Sequence, residues 1–252
     1  MSILEIKNIT KSYGKIAAVD DLSMSIAPGE SVAFIGPNGA GKSTTMRAIS
    51  GLLHVDKGSV SIAGYDVQTN PVEAKKHLGF VPQEIQIYPH LTGEEFLTFM
   101  AKIRNLNEDQ THAQIEELLQ LCDLAKARHQ LIREYSGGMA RKIAMASALI
   151  GKPGLVVLDE SFVGLDPEST FKFGQYLKQY TKDGGALLIS SHILEMLQNL
   201  CSRFFILHHG KCVADYSKKQ LLDALSNPET PNITALYLQH TDQKDLIHAF
   251  KS

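Results

Sequence analysis

The sequence predicts an α/β fold with a mainly parallel sheet, because strand-like runs alternate with helix-like stretches in its second half. From about residue 155 the order is the strand-like run GLVVLD (154–159), a helix near 167–182, the strand-like run GALLIS and then the helix-like run HILEMLQNL. Earlier in the chain, the β-branched run SVAFI (31–35) leads into a glycine-rich segment and a helix. Strand–helix–strand order of this kind favours parallel pairing, with a binding site at the carboxyl ends of the strands.

Length and composition are those of an intracellular globular protein. The 252 residues suffice for one large domain, or for a domain that carries a smaller lobe. The net charge of −2 provides no basic field that would favour nucleic acid as a ligand. The cysteines Cys122, Cys201 and Cys212 lack metal-ligand spacing and suit a reducing compartment. With neither a signal peptide nor an apolar run of about 18 residues, we expect a cytoplasmic protein.

The N-terminal residues 1–35 predict strands, because Leu4, Ile6 and Ile9 alternate with polar neighbours. Pro28-Gly29 marks a turn before the next strand. Further strands are predicted at SVSIAG (59–64), LGFVPQ (78–83), FFIL (204–207) and CVAD (212–215), the last two as a closing hairpin.

The middle of the chain, about 92–150, is predicted to be helical. Thr92 can cap a first helix, with Glu94 and Glu95 in the first turn, where the helix dipole favours negative charge. A second helix is predicted over roughly 108–121 from its apolar face. No heptad pattern persists, which excludes a long coiled-coil arm.

The segment GPNGAGKST (36–44) predicts a phosphate-binding loop, because it joins a strand to a helix with the spacing G-x-x-x-x-G-K-S. Glycines let successive N–H groups face inward as an anion nest at a helix N-terminus. Lys42 is expected to reach the β- and γ-phosphates, and Ser43 to ligate Mg²⁺. The alternative, a chance glycine-rich turn, requires neither side chain. The predicted loop residues are Gly36, Asn38, Gly39, Ala40, Gly41, Lys42, Ser43 and Thr44.

The buried-strand run LVVLDE (155–160) ends in two carboxylates that suit the same chemistry. Asp159 is predicted to hold Mg²⁺, through water, and Glu160 to polarise a water that attacks the γ-phosphate. A charged pair that simply ends a core strand is the alternative. Together with the loop, this strand predicts a P-loop NTPase.

The segment YSGGM (135–139) opens an apolar-periodic helix and resembles the signature motif of ATP-binding cassette (ABC) ATPases. Ser136 is predicted to cap that helix, while Gly137 and Gly138 let its positive N-terminus approach a phosphate. Alone, the tripeptide SGG (136–138) would indicate only a helix cap. The resemblance covers about residues 3–225, over which the family's other motifs follow in order.

Four further positions match that family. The resemblance implies that Tyr13 stacks on adenine and that Gln83 contacts Mg²⁺ and the attacking water. It also implies that Asp166 joins the two nucleotide sites and that His192 contacts the γ-phosphate. Tyr13 could instead be a half-buried strand aromatic, and Gln83 a solvated loop amide.

The signature departs from the commonest family pattern at Met139, where glutamine is usual, and at Tyr135, where leucine is usual. This variant resembles ATPases of antibiotic and drug exporters whose membrane subunits are separate chains. Ser161 replaces the usual proline after the catalytic glutamate. None of these changes removes a catalytic group. His208 and His209 are interpreted as structural.

The resemblance implies a P-loop NTPase core with a mainly parallel sheet, an N-terminal antiparallel β subdomain and a helical subdomain inserted at about 84–150. The nucleotide-binding domain is expected to span 1–225, followed by a short tail, 226–252. Catalysis is assigned to Lys42, Gln83, Glu160 and His192, and magnesium binding to Ser43, Gln83 and Asp159.

The implied function is an ATP-hydrolysing subunit that powers an ABC transporter, in the direction of export. Two copies would bind ATP head to tail on the cytoplasmic face of the cell membrane, attached to an integral membrane permease. Residues 85–89 would contact that permease or anchor the helical lobe. A soluble ABC ATPase, such as the iron–sulfur cluster assembly type, is the alternative. The 52 residues between Gln83 and Ser136 cannot hold the coiled coil of a DNA-repair relative, and no nucleic-acid partner is expected.

Overall fold

Two sheets divide the strands in the computed structural model, which describes residues 2–227, 230 and 232–240. The strands are β1 Leu4–Tyr13, β2 Ile16–Ile26, β3 Ser31–Ile35, β4 Lys57–Ile62, β5 Tyr65–Asp66, β6 Leu78–Val81, β7 Leu155–Asp159, β8 Ala186–Ser190, β9 Arg203–His208 and β10 Lys211–Ser217. The helices are α1 Lys42–Ile49, α2 Pro71–Lys76, α3 Gly93–Ile103, α4 Glu108–Leu121, α5 Gly137–Leu149, α6 Pro167–Lys182, α7 Leu194–Leu200, α8 Lys218–Leu225 and α9 Ile233–Gln239. None of the helices formed by these residues has the length and apolar character needed to cross a membrane.

The larger sheet has six strands in the order β10-β9-β3-β8-β7-β6. All neighbours in it are parallel except β10, which returns antiparallel to β9 as the predicted hairpin. Every residue of β3, β7 and β8 is buried, as expected of apolar strands that are covered on both faces. The carboxyl ends of these strands share one edge, and the predicted catalytic residues follow there. The mainly parallel α/β fold is thus confirmed.

The smaller sheet is antiparallel, in the order β2-β1-β4-β5, and confirms the predicted N-terminal β subdomain. Strand β1 lies between β2 and β4, so its apolar residues Leu4, Ile6 and Ile9 face a buried core. This sheet brings the end of β1 beside the segment that follows β3.

Helices α3, α4 and α5 lie within the range predicted for the helical subdomain. Thr92 caps α3 as predicted: its side-chain oxygen accepts from Glu95 N at 3.2 Å, and Thr92 N donates to the Glu95 carboxylate at 2.8 Å. Glu94 in the same turn accepts two hydrogen bonds from the Arg128 guanidinium, at 2.6 and 3.0 Å. Its pKa is lowered by those bonds. The first turn of α3 is therefore fixed to the segment that leads into α5.

The C-terminal region contains two helices that the sequence did not predict. Asn232 caps α9, where its side-chain oxygen accepts from Ala235 N at 2.8 Å, and Ile233 and Leu236 join the hydrophobic core. Part of the segment expected as a tail is therefore a packed helix. Residues 241–252 of that segment lie outside the described residues. The boundary at residue 225 stays a prediction.

Candidate active site

The phosphate loop leaves β3 after Ile35 and ends where α1 begins at Lys42. Gly39 has φ +82° and Gly41 has φ +103°, backbone conformations that residues with a side chain rarely adopt. A Cβ atom added to Gly41 would also lie 2.3 Å from the carbonyl oxygen of Ala18. The loop therefore curls tightly against β2, which is why its sequence requires glycine at this position.

Lys42 is the buried cation of this loop. Its ammonium donates to the carbonyl oxygens of Gly36 at 2.7 Å and Pro37 at 3.1 Å. Burial lowers the pKa of Lys42, and the nearby carboxylates of Glu160 and Asp159 oppose that shift. A desolvated ammonium held by neutral carbonyls is a strong electrostatic partner for an incoming phosphate, because little water competes with it.

The acidic pair follows β7 on the same edge of the sheet. Asp159 is buried, and its carboxylate accepts from the Ser190 hydroxyl at 2.7 Å. Glu160 N donates to the same Ser190 oxygen at 3.0 Å, while Glu160 itself has φ +49°. Its carboxylate accepts from His192 N at 3.2 Å. The other carboxylate oxygen, Oε1, is buried, has no hydrogen-bond partner among the described residues and lies 3.4 Å from His192 Nε2.

These groups surround a cavity of about 440 Å³. Tyr13 lies at its edge with 51% of its surface exposed, and Gln83 enters from the loop after β6. The lining residues are Tyr13, Ala18, Pro37, Asn38, Gly39, Gly41, Lys42, Ser43, Thr44, Gln83, Glu160 and His192. The fold thus gathers most of the predicted phosphate and catalytic residues at one place. Ala18 was not predicted, because a small residue inside a strand carries no sequence signal.

Three predicted residues lie behind the cavity wall instead of lining it. Ala40 and Asp159 are buried. A Cβ atom on Gly36 would lie 2.6 Å from the carbonyl oxygen of Leu207, so this glycine permits close packing against β9. These positions support the loop and the acidic strand from within the core.

The signature residues are absent from the lining of this cavity. Ser136 caps α5 as predicted, accepting from Met139 N at 3.2 Å. Ser136 and Gly137 are exposed, and a Cβ atom on Gly137 would meet no described residue within 4 Å. A Cβ atom on Gly138 would lie 3.6 Å from the carbonyl oxygen of Gly164. The signature turn therefore presents an open face next to the loop after β7.

Asp166, at the end of that loop, caps α6. Its carboxylate accepts from Ser169 N at 2.8 Å and from the Ser169 hydroxyl at 2.6 Å. These hydrogen bonds hold the pKa of Asp166 below its ordinary value. The side chain fixes the start of a helix in its own subunit, and it does not line the cavity.

The departures from the commonest family pattern occupy packed positions. Tyr135 is buried, and its hydroxyl donates to Ala127 O at 2.9 Å. Ser161 and Phe162 are buried beside the acidic pair. They alter the packing beneath the site, while the loop lysine, the serine and the carboxylates are all present.

The site and the fold define a P-loop nucleotide hydrolase: a glycine loop with a buried lysine lies opposite an acidic pair at the carboxyl edge of a parallel sheet. The profile of the family described as ABC transporter matches residues 19–163, and the chain belongs to that family. It is therefore an ATP-binding and ATP-hydrolysing subunit, as predicted, and the soluble iron–sulfur type of ABC ATPase is not favoured.

Curated relatives agree with this assignment. The chain is 37% identical to the linearmycin resistance ATP-binding protein of Bacillus subtilis strain 168 over 232 residues, which cover 92% of this chain and 75% of the relative. It is 33% identical to the Nod factor export ATP-binding protein I of Rhizobium etli over 233 residues, covering 92% of this chain and 74% of the relative.

Solved structures share the same architecture. An ATP-binding subunit of an ABC transporter superposes with a TM-score of 0.89 at 30% identity, covering 96% of this chain and 100% of the other. A dimeric ATP-binding cassette in a post-hydrolysis state, bound to ADP and Pi, superposes with a TM-score of 0.77 at 25% identity, covering 85% of this chain and 98% of the other.

Proposed function

We propose that this chain couples Mg²⁺-dependent ATP hydrolysis to export through a separate membrane permease, as one of two subunits that bind ATP head to tail. One observation carries this proposal. The cavity contains the phosphate loop and the catalytic glutamate, whereas the signature serine of the same chain lies exposed and outside it. Each cavity is thus complete on one side only, which supports a second subunit on the other.

The triphosphate would lie along the loop, with its negative charge facing the loop N–H groups and the N-terminus of α1. Lys42 would exchange its two carbonyl partners for the β- and γ-phosphate oxygens. The exposed ring of Tyr13 at the edge of the cavity offers a flat surface on which adenine can stack. The nucleotide is therefore held by charge at one end and by an aromatic ring at the other.

The donor set fits a magnesium ion. The Ser43 hydroxyl and the Gln83 amide line the cavity and are oxygen donors, the kind that Mg²⁺ prefers. The Asp159 carboxylate is buried behind the cavity wall and would hold the ion through water. Asp159 is buried and oriented by Ser190, while Glu160 Oε1 is a buried oxygen that lacks a hydrogen bond among the described residues. When bound, the ion would neutralise charge that develops on the phosphate oxygens.

Hydrolysis would proceed by direct attack of water on the γ-phosphorus. Glu160 accepts a proton from the water while the oxygen of that water forms a bond to the γ-phosphorus. The bond between phosphorus and the bridging oxygen breaks, so ADP and inorganic phosphate are formed. His192 donates its main-chain N–H to one oxygen of the Glu160 carboxylate, and its imidazole Nε2 lies 3.4 Å from the other. The same imidazole would contact the γ-phosphate.

The second subunit would supply Ser136 and the N-terminal N–H groups of α5 to the open side of each nucleotide. Because this chain carries both the phosphate loop and an intact signature turn, two copies can form two complete sites. The solved cassette with ADP and Pi is dimeric, which supports the pairing of two copies here.

A surface suited to the permease lies where α2 and β6 meet the helices α3 and α5. An apolar cavity of about 420 Å³, to which Phe80 and Met100 contribute, is flanked by Leu52, Val72 and Ile103, with 66%, 69% and 57% of their surfaces exposed. Exposed apolar side chains grouped in this way are typical of an interaction surface. Attachment there would hold the subunit on the cytoplasmic face of the membrane.

Residues 85–89 divide between the two roles predicted for them. Ile85 and Ile87 are partly buried and pack on the core, so they anchor the helical lobe. Tyr88 is 52% exposed, and its ring lies 5.2 Å from that of Phe99. Tyr88 is therefore the exposed aromatic residue of this segment that a permease could contact.

The direction of transport is proposed from the relatives. One is named for linearmycin resistance and another for Nod factor export. Movement of a substrate out of the cell accounts for both names. Purification of the chain from detergent extracts should retain an integral membrane protein, whereas recovery with a soluble scaffold alone would contradict the proposal.

The decisive experiment is Glu160→Gln. The amide keeps the shape of the side chain but cannot accept the proton, so turnover should fall by about 10² to 10⁴ while ATP binding remains. Unhydrolysed ATP should then hold two copies together as an ATP-dependent dimer on size exclusion. The exposed Glu134→Gln variant is the matched control and should behave as wild type. A Glu160→Gln protein that hydrolyses ATP normally would refute the assignment.

A further inference from the structure

One side chain connects three parts of the active site. Arg141 is the fifth residue after the signature serine Ser136 and lies on α5. Its Nη1 donates to the main-chain carbonyl of Glu160 at 3.3 Å, and its Nη2 donates to the carbonyl of Gln83 at 3.5 Å. The guanidinium thus joins the signature helix to the segments that follow β7 and β6.

The backbone of Glu160 is the part of the site that most needs such support. Its φ of +49° lies in the left-handed region, which residues with a side chain occupy only when surrounding contacts hold them there. Ser190 holds the peptide from one side, because its hydroxyl accepts from Glu160 N at 3.0 Å. Arg141 holds the carbonyl of the same residue. The orientation of the Glu160 carboxylate therefore depends on contacts at both ends of its backbone.

Arginine suits this position because its planar guanidinium presents several N–H donors in a rigid fork. Two carbonyl oxygens from different segments can then be held at once. A lysine ammonium is a point charge on a flexible chain and would not fix both in one geometry. Arg141 does not line the nucleotide cavity, so a direct contact with the triphosphate is not its role.

We propose that Arg141 is a positioning residue for hydrolysis: it aligns Glu160 and the Gln83 loop with the signature helix of the same subunit. The inference rests on the proposed role of Glu160 as the base. The first turn of α5 would face the nucleotide of the second subunit, so Arg141 also links that contact to the glutamate of its own site. Its loss should slow the chemical step without weakening ATP binding.

The test is Arg141→Met, which keeps much of the side-chain length and removes the donors. Misplacement of a catalytic group by about 1 Å can reduce the rate by about 10²-fold, so we expect kcat to fall by about 10- to 100-fold. The ATP affinity of the isolated subunit and its thermal midpoint should stay at wild-type values. Arg141→Lys should recover part of the lost kcat. The exposed Arg133→Met variant is the control and should hydrolyse normally.

A double variant separates positioning from any other effect. If Arg141 acts through Glu160, Arg141→Met should cause little further loss in single-turnover hydrolysis when Glu160→Gln is already present. The proposal would be overturned if the loss of rate in the double variant equalled the product of the losses in the two single variants. It would also be overturned if a lower thermal midpoint explained the loss of kcat in Arg141→Met. A normal kcat in Arg141→Met would overturn it as well. The single Glu160→Gln variant tests the proposed function separately, since it must lose hydrolysis whatever Arg141 does.

Discussion

The phosphate-loop side and the signature side of the molecule are built in opposite ways. On the first, Lys42 and Asp159 are buried and hydrogen-bonded to groups of their own chain. On the second, Ser136 and Gly137 lie exposed at the start of α5, and the serine is engaged in capping that helix. Both sides are held by local contacts, yet the phosphate-loop residues line the cavity and the signature residues do not.

This difference agrees with the proposal that the groups on the first side act within their own chain and those on the second side act on another chain. A group that holds charge in place must be desolvated and oriented before the substrate arrives. A group that closes the site of a second subunit must instead be presented on the surface with free space in front of it. Substitutions on the phosphate-loop side should therefore impair ATP binding and hydrolysis, whereas substitutions on the signature side should impair hydrolysis while ATP binding remains.

The largest effect is expected for Lys42→Ala. The change deletes the buried cation that is proposed to bind the phosphates, so hydrolysis should become undetectable and ATP binding should weaken. The fold should persist, because the hydrogen bonds of the ammonium go to carbonyl oxygens of the loop and not to the hydrophobic core. ATPase assays, fluorescent nucleotide titration and circular dichroism measure these three outcomes. The exposed Lys182→Ala is the control, and near-normal turnover in Lys42→Ala would remove the phosphate-loop assignment.

On the signature side, Ser136→Arg should block hydrolysis while isolated subunits still bind ATP. The substitution removes the cap and places bulk where the partner's phosphate would lie. Mixing it with Lys42→Ala subunits gives the sharpest measurement. The intact loop of one protein and the intact signature of the other then form one complete site, so activity should partly return. Absence of any recovery in a mixed dimer would contradict a site shared between subunits.

Sequence alone predicted the parts of this site that depend on local pattern. The loop at 36–44 and the acidic strand were recognisable because each motif is continuous in the chain and lies between elements with clear periodicity. The contacts that hold those motifs were not predictable. Ser190 reaches back 31 residues to Asp159, and Arg141 reaches Gln83 across 58. Such pairs are created by sheet order and helix packing.

Helix α9 shows a second limit of pattern reading. The sequence before this helix contains Pro228 and Pro231, and the helix itself is only seven residues long. A short helix is marginal by itself and forms because tertiary packing stabilises it. Here Ile233 and Leu236 bury against a core assembled from distant parts of the chain. The sequence shows those two apolar residues, but it does not show the core surface against which they pack, and so the helix was not predictable.

A smaller effect on activity is expected for Ser190→Ala. Its hydroxyl is bonded to both Asp159 and Glu160, so its loss leaves a buried carboxylate oxygen and a buried N–H without that partner. We expect kcat to fall by about tenfold, equivalent to about 1.4 kcal/mol in the barrier, with ATP affinity retained. The neighbouring Ser191→Ala is the matched control, since Ser191 contacts neither carboxylate through a hydrogen bond in the structure. Equal losses in both variants would indicate general damage to the strand end.

The smallest effect on hydrolysis is expected for Tyr135→Phe, directly before the signature serine. The change removes the hydrogen bond to Ala127 O and leaves the ring packed in the core. This hydrogen bond is partly buried, and a hydrogen bond contributes about 0.5–1.5 kcal/mol to stability. A change of 1 kcal/mol corresponds to about 2–4 °C in the thermal midpoint of a domain of this size. The hydroxyl contacts the segment that precedes the signature turn, and Tyr135 does not line the nucleotide cavity. We therefore expect kcat to change by less than about twofold. Thermal unfolding and ATPase assays on the same preparation separate the two quantities, with the exposed Tyr88→Phe as control. A Tyr135→Phe protein that keeps its stability but loses hydrolysis would show that the tyrosine hydroxyl acts on the active site itself. The contribution of the signature side to hydrolysis would then require this hydroxyl in addition to a correctly placed Ser136.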